Sequence, residues 1–194
     1  MALGLFAQAG LLTHLFSLLV PALGEARAGL AMGLATAAAI GGRTLVGWLM
    51  PAGADRRQVA CVSYGVQIAG SLACVAAAGE SVPLLLLGVV LFGAGIGNAT
   101  SLPPLIAQTE FVKDDVGRVV ALIVATGQAT YAFAPVFFGL VRTTFDGSAT
   151  ATGAAPHLFL AVALVQAAAI ASFLLWRRPA RSDHHGRVTS ASRN

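Results

Sequence analysis

Four polar side chains set inside long apolar stretches carry most of the chemistry open to this chain. His14, Asn98, Gln128 and Tyr131 each stand among leucines, alanines, valines and glycines, where an unpaired polar group is costly and must find a partner. An imidazole can donate, accept or take up a proton near neutral pH. The amides and the phenol can bind a polar solute or tie neighbouring helices together. Helical spacing puts His14 on one face with Gly10, Ser17 and Pro21, and puts Gln128, Tyr131 and Pro135 together on another. Asn98 follows the Gly93 and Gly97 pair and precedes Thr100, Ser101 and Pro103-Pro104.

These four are candidates for the lining of a substrate cavity. Each has a plainer reading beside it: a neutral histidine bonded between helices, or an asparagine that satisfies backbone groups near a bend. Gln67 and Gln166 are read as interhelical hydrogen-bonding residues. No acid stands in the middle of an apolar run, because Glu25, Asp55, Glu80, Glu110, Asp114, Asp115, Asp146 and Asp183 fall in the connections or the tail. Proton coupling through a buried carboxylate therefore has no residue to use here, and His14 is the one titrating group near the centre of a run. The pattern contains no nucleophile–base arrangement, phosphate loop or metal-spaced cluster, so it suggests no enzyme, metal or cofactor. His184-His185 reads as part of a solvated tail. Cys61 and Cys74, on one helix, would stand roughly 20 Å apart, too far for a disulfide.

The elements that position these residues follow from composition. The chain has 194 residues, of which 57% are hydrophobic and 10% charged, against about 25% charged in soluble domains. A bilayer can solvate such an exterior and water cannot. The net charge of +4 is spread over gaps between apolar runs, which excludes a basic nucleic-acid-binding face. Six runs are long enough to span, at about 3–23, 28–50, 58–79, 82–107, 117–141 and 156–176. The N-terminus has no basic region before its first run and is not a signal peptide. Small residues recur every fourth position at Gly29, Gly33, Ala37 and Gly41, and again at Gly93 and Gly97, as in closely packed membrane helices. The fold class is all-α and polytopic: a six-helix bundle over 1–176 and a basic, disordered tail over 177–194.

Counting lysine and arginine in alternate connections orients the bundle. One side holds Arg56, Arg57, Lys113, Arg118, Arg177, Arg178, Arg181, Arg187 and Arg193, while the other holds Arg27 and Arg142. This asymmetry puts the 51–57 and 108–117 loops and both termini in the cytoplasm, in a multi-pass cell (inner) membrane protein.

The second run ends Gly42-Arg43-Thr44-Leu45-Val46-Gly47, then continues Pro51-Ala52-Gly53-Ala54-Asp55-Arg56-Arg57 before the third run. This stretch resembles the cytoplasmic loop motif of the major facilitator superfamily, with Pro51 where the family usually has an acidic residue and Asp55 four positions later. The resemblance extends over residues 1 to about 176 and matches helices seven to twelve. It implies the C-terminal half of a major facilitator-type fold, a 3+3 inverted repeat. Gly42, Arg43, Gly47, Asp55, Arg56 and Arg57 would then form a gating loop. Runs one, two, four and five would line the cavity and the other two would face lipid.

The function so implied is secondary active transport of a small organic solute. Its partners are the lipid bilayer, the solute and an N-terminal six-helix half on the same or a separate chain, or less readily a second copy. The rivals are a truncated or split-gene product that is inactive alone, and a six-span channel or embedded enzyme of another fold. The first run starts two residues after Met1, where the family has a long loop from its first half. The expectation is that this chain alone carries no substrate-specific flux and tends to aggregate.

Overall fold

The structure, a computed structural model, describes residues 2–50, 55–98, 113–147 and 153–175. Every element among them is helical: α1 (Ala2–Leu23), α2 (Glu25–Leu49), α3 (Arg56–Ala77), α4 (Val82–Ile96), α5 (Lys113–Val141), a π-helical turn (Arg142–Asp146) and α6 (Pro156–Leu175). Five are long and apolar enough to cross a membrane, and Val82–Ile96 is a shorter apolar helix. The chain is therefore an all-α protein with several helices suited to a membrane. The fourth run, expected to continue to residue 107, is helical to Ile96 and turns at Gly97 and Asn98. Thr100, Ser101, Pro103-Pro104 and the basic tail lie outside the described residues.

Helix ends follow local chemistry. Only Gly24 separates α1 from α2, at φ 75°, a conformation that glycine adopts without steric cost. That tight corner puts Glu25, Ala26 and Arg27 in the first turn of α2 instead of in a loop, with the Glu25 carboxylate near the positive end of the helix dipole. Asp55 caps α3 by accepting the backbone N–H of Arg57 at 2.9 Å, which satisfies one of the helix's orphan donors. At the other end of α3, Ala78 and Gly79 both take positive φ and turn the chain into α4.

The close approaches define how the helices run. Along the α1–α5 contact, Leu5 meets Gly127, Gly10 meets Phe138 and His14 meets Gly139, so the two are parallel. Ala35 and Ala39 of α2 meet Gly93 and Gly97 of α4, again in parallel. Gln67 contacts Gln166, and Tyr64 contacts Phe173, so α3 and α6 are antiparallel. Successive helices thus alternate in direction. Arg43, Arg56, Arg57 and Arg118 gather at one end of the bundle, and Glu25, Arg27, Glu80, Arg142 and Asp146 at the other.

The main contacts are α3 with α4, α1 with α5, α2 with α4, α3 with α6 and α1 with α6. This set maps onto itself when the first three helices are exchanged for the last three. The smaller α1–α2 and α5–α6 contacts stand outside that pairing. The core holds Leu11, Leu15 and Leu18 of α1, Leu85 and Phe92 of α4, Phe138 of α5 and Phe159 of α6. By contrast, α2 and α5 are little buried. In the most apolar 18-residue window of each, 11% is buried, against 50% in α1.

Glycine allows the tightest seams. A Cβ on Gly70 would lie 2.6 Å from the Phe92 backbone nitrogen, and one on Gly93 would lie 2.5 Å from the Ala35 carbonyl oxygen. The Gly93 and Gly97 pair is thus a packing surface, but the small-residue stripe read on α2 is not what meets it. Ala28, Ala31 and Ala35 are the buried residues of α2. A Cβ on Gly29, Gly33 or Gly41 would meet nothing within 4 Å, and Ala37 is exposed. Small residues occupy more than one face of α2, and the face that packs is the one whose backbone can reach α4.

Candidate functional site along the seam between α1 and α5

The seam begins with Pro135. Proline supplies no N–H, so the α5 ladder is interrupted there. Across from it, His14 of α1 donates Nε2–H to the Pro135 carbonyl oxygen at 3.2 Å, which fixes the Nε2–H tautomer. Gly139, one turn further, leaves room for the ring: its Cβ position is 3.6 Å from His14 Cε1. One turn along α1, Ser17 donates its hydroxyl to the His14 carbonyl at 2.8 Å and accepts from the Arg142 guanidinium at 2.7 Å. Gln128 and Tyr131 continue the same α5 face away from Pro135, and both are exposed, Tyr131 by 48%. Two of the predicted lining residues therefore lie open on α5, and His14 is half-buried beside them.

Asn98 does not join this seam. It is 4% exposed, and its amide donates to Ser63 Oγ of α3 at 3.2 Å. It belongs to a second polar group inside the bundle. There Gln67 Oε1 accepts from Gln8 Nε2 of α1 and from Gln166 Nε2 of α6, each at 2.9 Å. Gln67 Nε2 donates to the Ser63 carbonyl at 3.3 Å. Gln67 and Gln166 are fully buried and bond across helices, as their place in apolar runs predicts. Gln166 Oε1 and Ser71 Oγ have no partner among the described residues.

At the basic end, Gly42 lies against the backbone carbonyl of Ala94. Arg43 donates Nε–H to the Gly97 carbonyl at 2.6 Å, satisfying an acceptor just past the C-terminus of α4 with a cation at the negative end of its dipole. A Cβ on Gly47 would meet nothing within 4 Å. Asp55 serves as the α3 cap, and Arg56 and Arg57 are half-buried in that helix's first turn.

At the other end stands Asp146, a residue that sequence reasoning placed only in a loop. The π-helical turn after α5 carries it into the interior, where it is 5% exposed. Its Oδ1 accepts from the His157 backbone N–H at 3.0 Å and from His157 Nδ1–H at 2.9 Å, and its Oδ2 accepts from the Leu158 N–H at 3.0 Å. One carboxylate thus caps α6 and pairs with a half-exposed imidazole, which also packs near the Phe145 ring. An acid followed ten residues later by Pro-His at a helix start is the only signal the sequence offers for this cap. Gln8 was equally hard to single out: one amide in an apolar run looks the same whether it bonds inside the bundle or faces out. Among the described residues, no group of three or more His, Cys, Asp or Glu side chains could hold a metal ion.

The chain matches no family model, no curated protein and no solved structure.

Proposed function

We propose that this chain is a six-helix half of a major facilitator-type secondary transporter that moves a small organic solute across the cell membrane. One observation carries the reading: the main helix contacts survive exchange of the first three helices for the last three, while the exchanged pair α2 and α5 stays largely uncovered. Transporters built from inverted three-helix repeats place their substrate between two such halves. The uncovered pair also bears the polar face of Gln128 and Tyr131, which has no reason to meet lipid.

In this reading the exposed sides of α2 and α5 meet a second six-helix half, and the α1–α5 seam is one wall of the cavity between them. The basic end faces the cytoplasm, following the lysine and arginine asymmetry. There the Arg43–Gly97 bond and the Gly42–Ala94 contact hold α2 to α4, so those two helices move as one body. Alone, the chain would leave its polar face to lipid and would not cycle.

Comparative profiling of small solutes in cells and medium, between a strain lacking this gene and its complemented parent, tests the reading. The expected result is an altered distribution of at least one small organic solute. No difference in any solute sinks the transporter reading. Single-cysteine labelling in intact cells, in a background without Cys61 and Cys74, tests the orientation, and external labelling at position 55 would reverse it.

A further inference from the structure

Arg142 stands at the end of the α1–α5 seam, and the acid placed to neutralise it is otherwise engaged. Asp146 is four residues on, the spacing at which helical side chains meet. It is nevertheless turned into the start of α6, with both oxygens occupied by His157 and Leu158. Among the described residues no carboxylate pairs with Arg142. Its one hydrogen bond there runs from Nη1 to Ser17 Oγ, at 2.7 Å. Ser17 in turn donates to the His14 carbonyl, so the hydroxyl is oriented to accept and the guanidinium is aimed by it. Nε and Nη2 remain, the two parallel donors that grip a carboxylate side-on.

We propose that Arg142, oriented by Ser17, is an entry subsite for the carboxylate of a small organic anion, which then meets Tyr131 and Gln128 along α5. The site deepens the transporter reading and rests on it for the anion's onward passage. Three features of the chain favour an anion. The charged side chain on the described seam is the Arg142 guanidinium, with no carboxylate paired to it. Asp146, the acid four residues on, is buried and committed to the start of α6. Beyond Arg142 the exposed Tyr131 hydroxyl and Gln128 amide can donate to a carboxylate as it sheds water. From Arg142 to Gln128 the face runs roughly 20 Å along the helix, so it is a path with its cation at the mouth. A lipid phosphate would satisfy the same guanidinium, and the arms of the test separate the two sources.

The test uses the full chain in nanodiscs and follows thermal unfolding against succinate, with choline and glucose as cationic and neutral controls at matched ionic strength. Succinate is expected to raise the melting temperature saturably in phosphatidylcholine discs, and the controls are not. Arg142→Gln should weaken the apparent affinity by about tenfold or more, Arg142→Lys by less, and Arg27→Gln, at the same end of the bundle, not at all. If Arg142→Gln does not fold, Ser17→Ala gives the reading instead, since it keeps the charge and removes only the group that aims it. A response unchanged in the variant, a larger response to choline or glucose, or stabilisation that follows phosphatidylglycerol content with none from succinate overturns the subsite. The solute profile of the deletion strain is read separately. Succinate binding with no altered solute removes transport and keeps the site. An altered cation or sugar with no succinate response keeps transport and removes the site.

Discussion

The buried amide group between α1, α3 and α6 and the open seam between α1 and α5 draw on the same kinds of residue but do opposite things. In the first, Gln67 accepts from Gln8 and Gln166, and all three are buried. In the second, His14 and Arg142 are held by bonds to a carbonyl and a hydroxyl, while Gln128 and Tyr131 stand exposed. A polar side chain in an apolar helix is thus ambiguous by type. Its role depends on whether the bundle itself supplies the partner. Where it does, the group holds helices together; where it does not, the group faces something outside the described chain.

The sharpest way to break this contrast is steric. Gly93→Leu forces a side chain into the Ala35 backbone, where neither partner can yield, and should cost about 3 kcal/mol or more. Gly33→Leu, on the uncovered face of α2, should leave the fold's stability unchanged within about 0.5 kcal/mol. Reversible unfolding in detergent measures both, and equal costs would mean that the packed face of α2 has been misassigned.

Gln67→Leu comes next. It strands the amide donors of Gln8 and Gln166 in the interior and should destabilise by about 2 kcal/mol, with solute accumulation per folded molecule unchanged. A loss of accumulation at full stability would move the amide group from scaffold to site.

Asp146→Ala removes the cap of α6 and should cost about 1–2 kcal/mol. Asp146→Asn, which keeps an acceptor, should cost less. A stability unchanged by the alanine variant would show that the π-helical turn places Asp146 there to no structural effect.

Among the hydrogen-bonding residues, the smallest stability change belongs to the seam. His14→Leu gives up one interhelical bond, worth about 0.6 kcal/mol in membrane proteins, yet it should impair accumulation more than Gln67→Leu does. If the two variants rank the other way, the seam is the scaffold and the amide group is the site.

How far the sequence could be read follows the same division. Period, length and composition revealed the apolar helices, since an apolar run of about 20 residues admits few other structures. The corners were less legible. Gly24 alone turns α1 into α2, and a three-residue stretch that looks like a loop becomes the first turn of a helix. The small-residue stripe of α2 was visible as a pattern but not as a face. Gly29, Gly33 and Gly41 and the alanines at 28, 31 and 35 both satisfy helical spacing, and only the approach of α4 chose between them.

What the sequence by itself determined is therefore the kind of protein: helices, apolar, with polar exceptions at His14, Gln67, Asn98, Gln128, Tyr131 and Gln166. Those properties are local, set by side-chain chemistry and the period of one helix at a time. Tertiary structure alone decided which exceptions meet. It brought Gln8 to Gln67 across 59 positions and Gln166 to Gln67 across 99, and His14 to Pro135 across 121. It also turned Asp146 inward and left Arg142 facing out, four residues away on the same chain. Hydrogen bonds act over about 3 Å, and no one-dimensional pattern records which helices come that close.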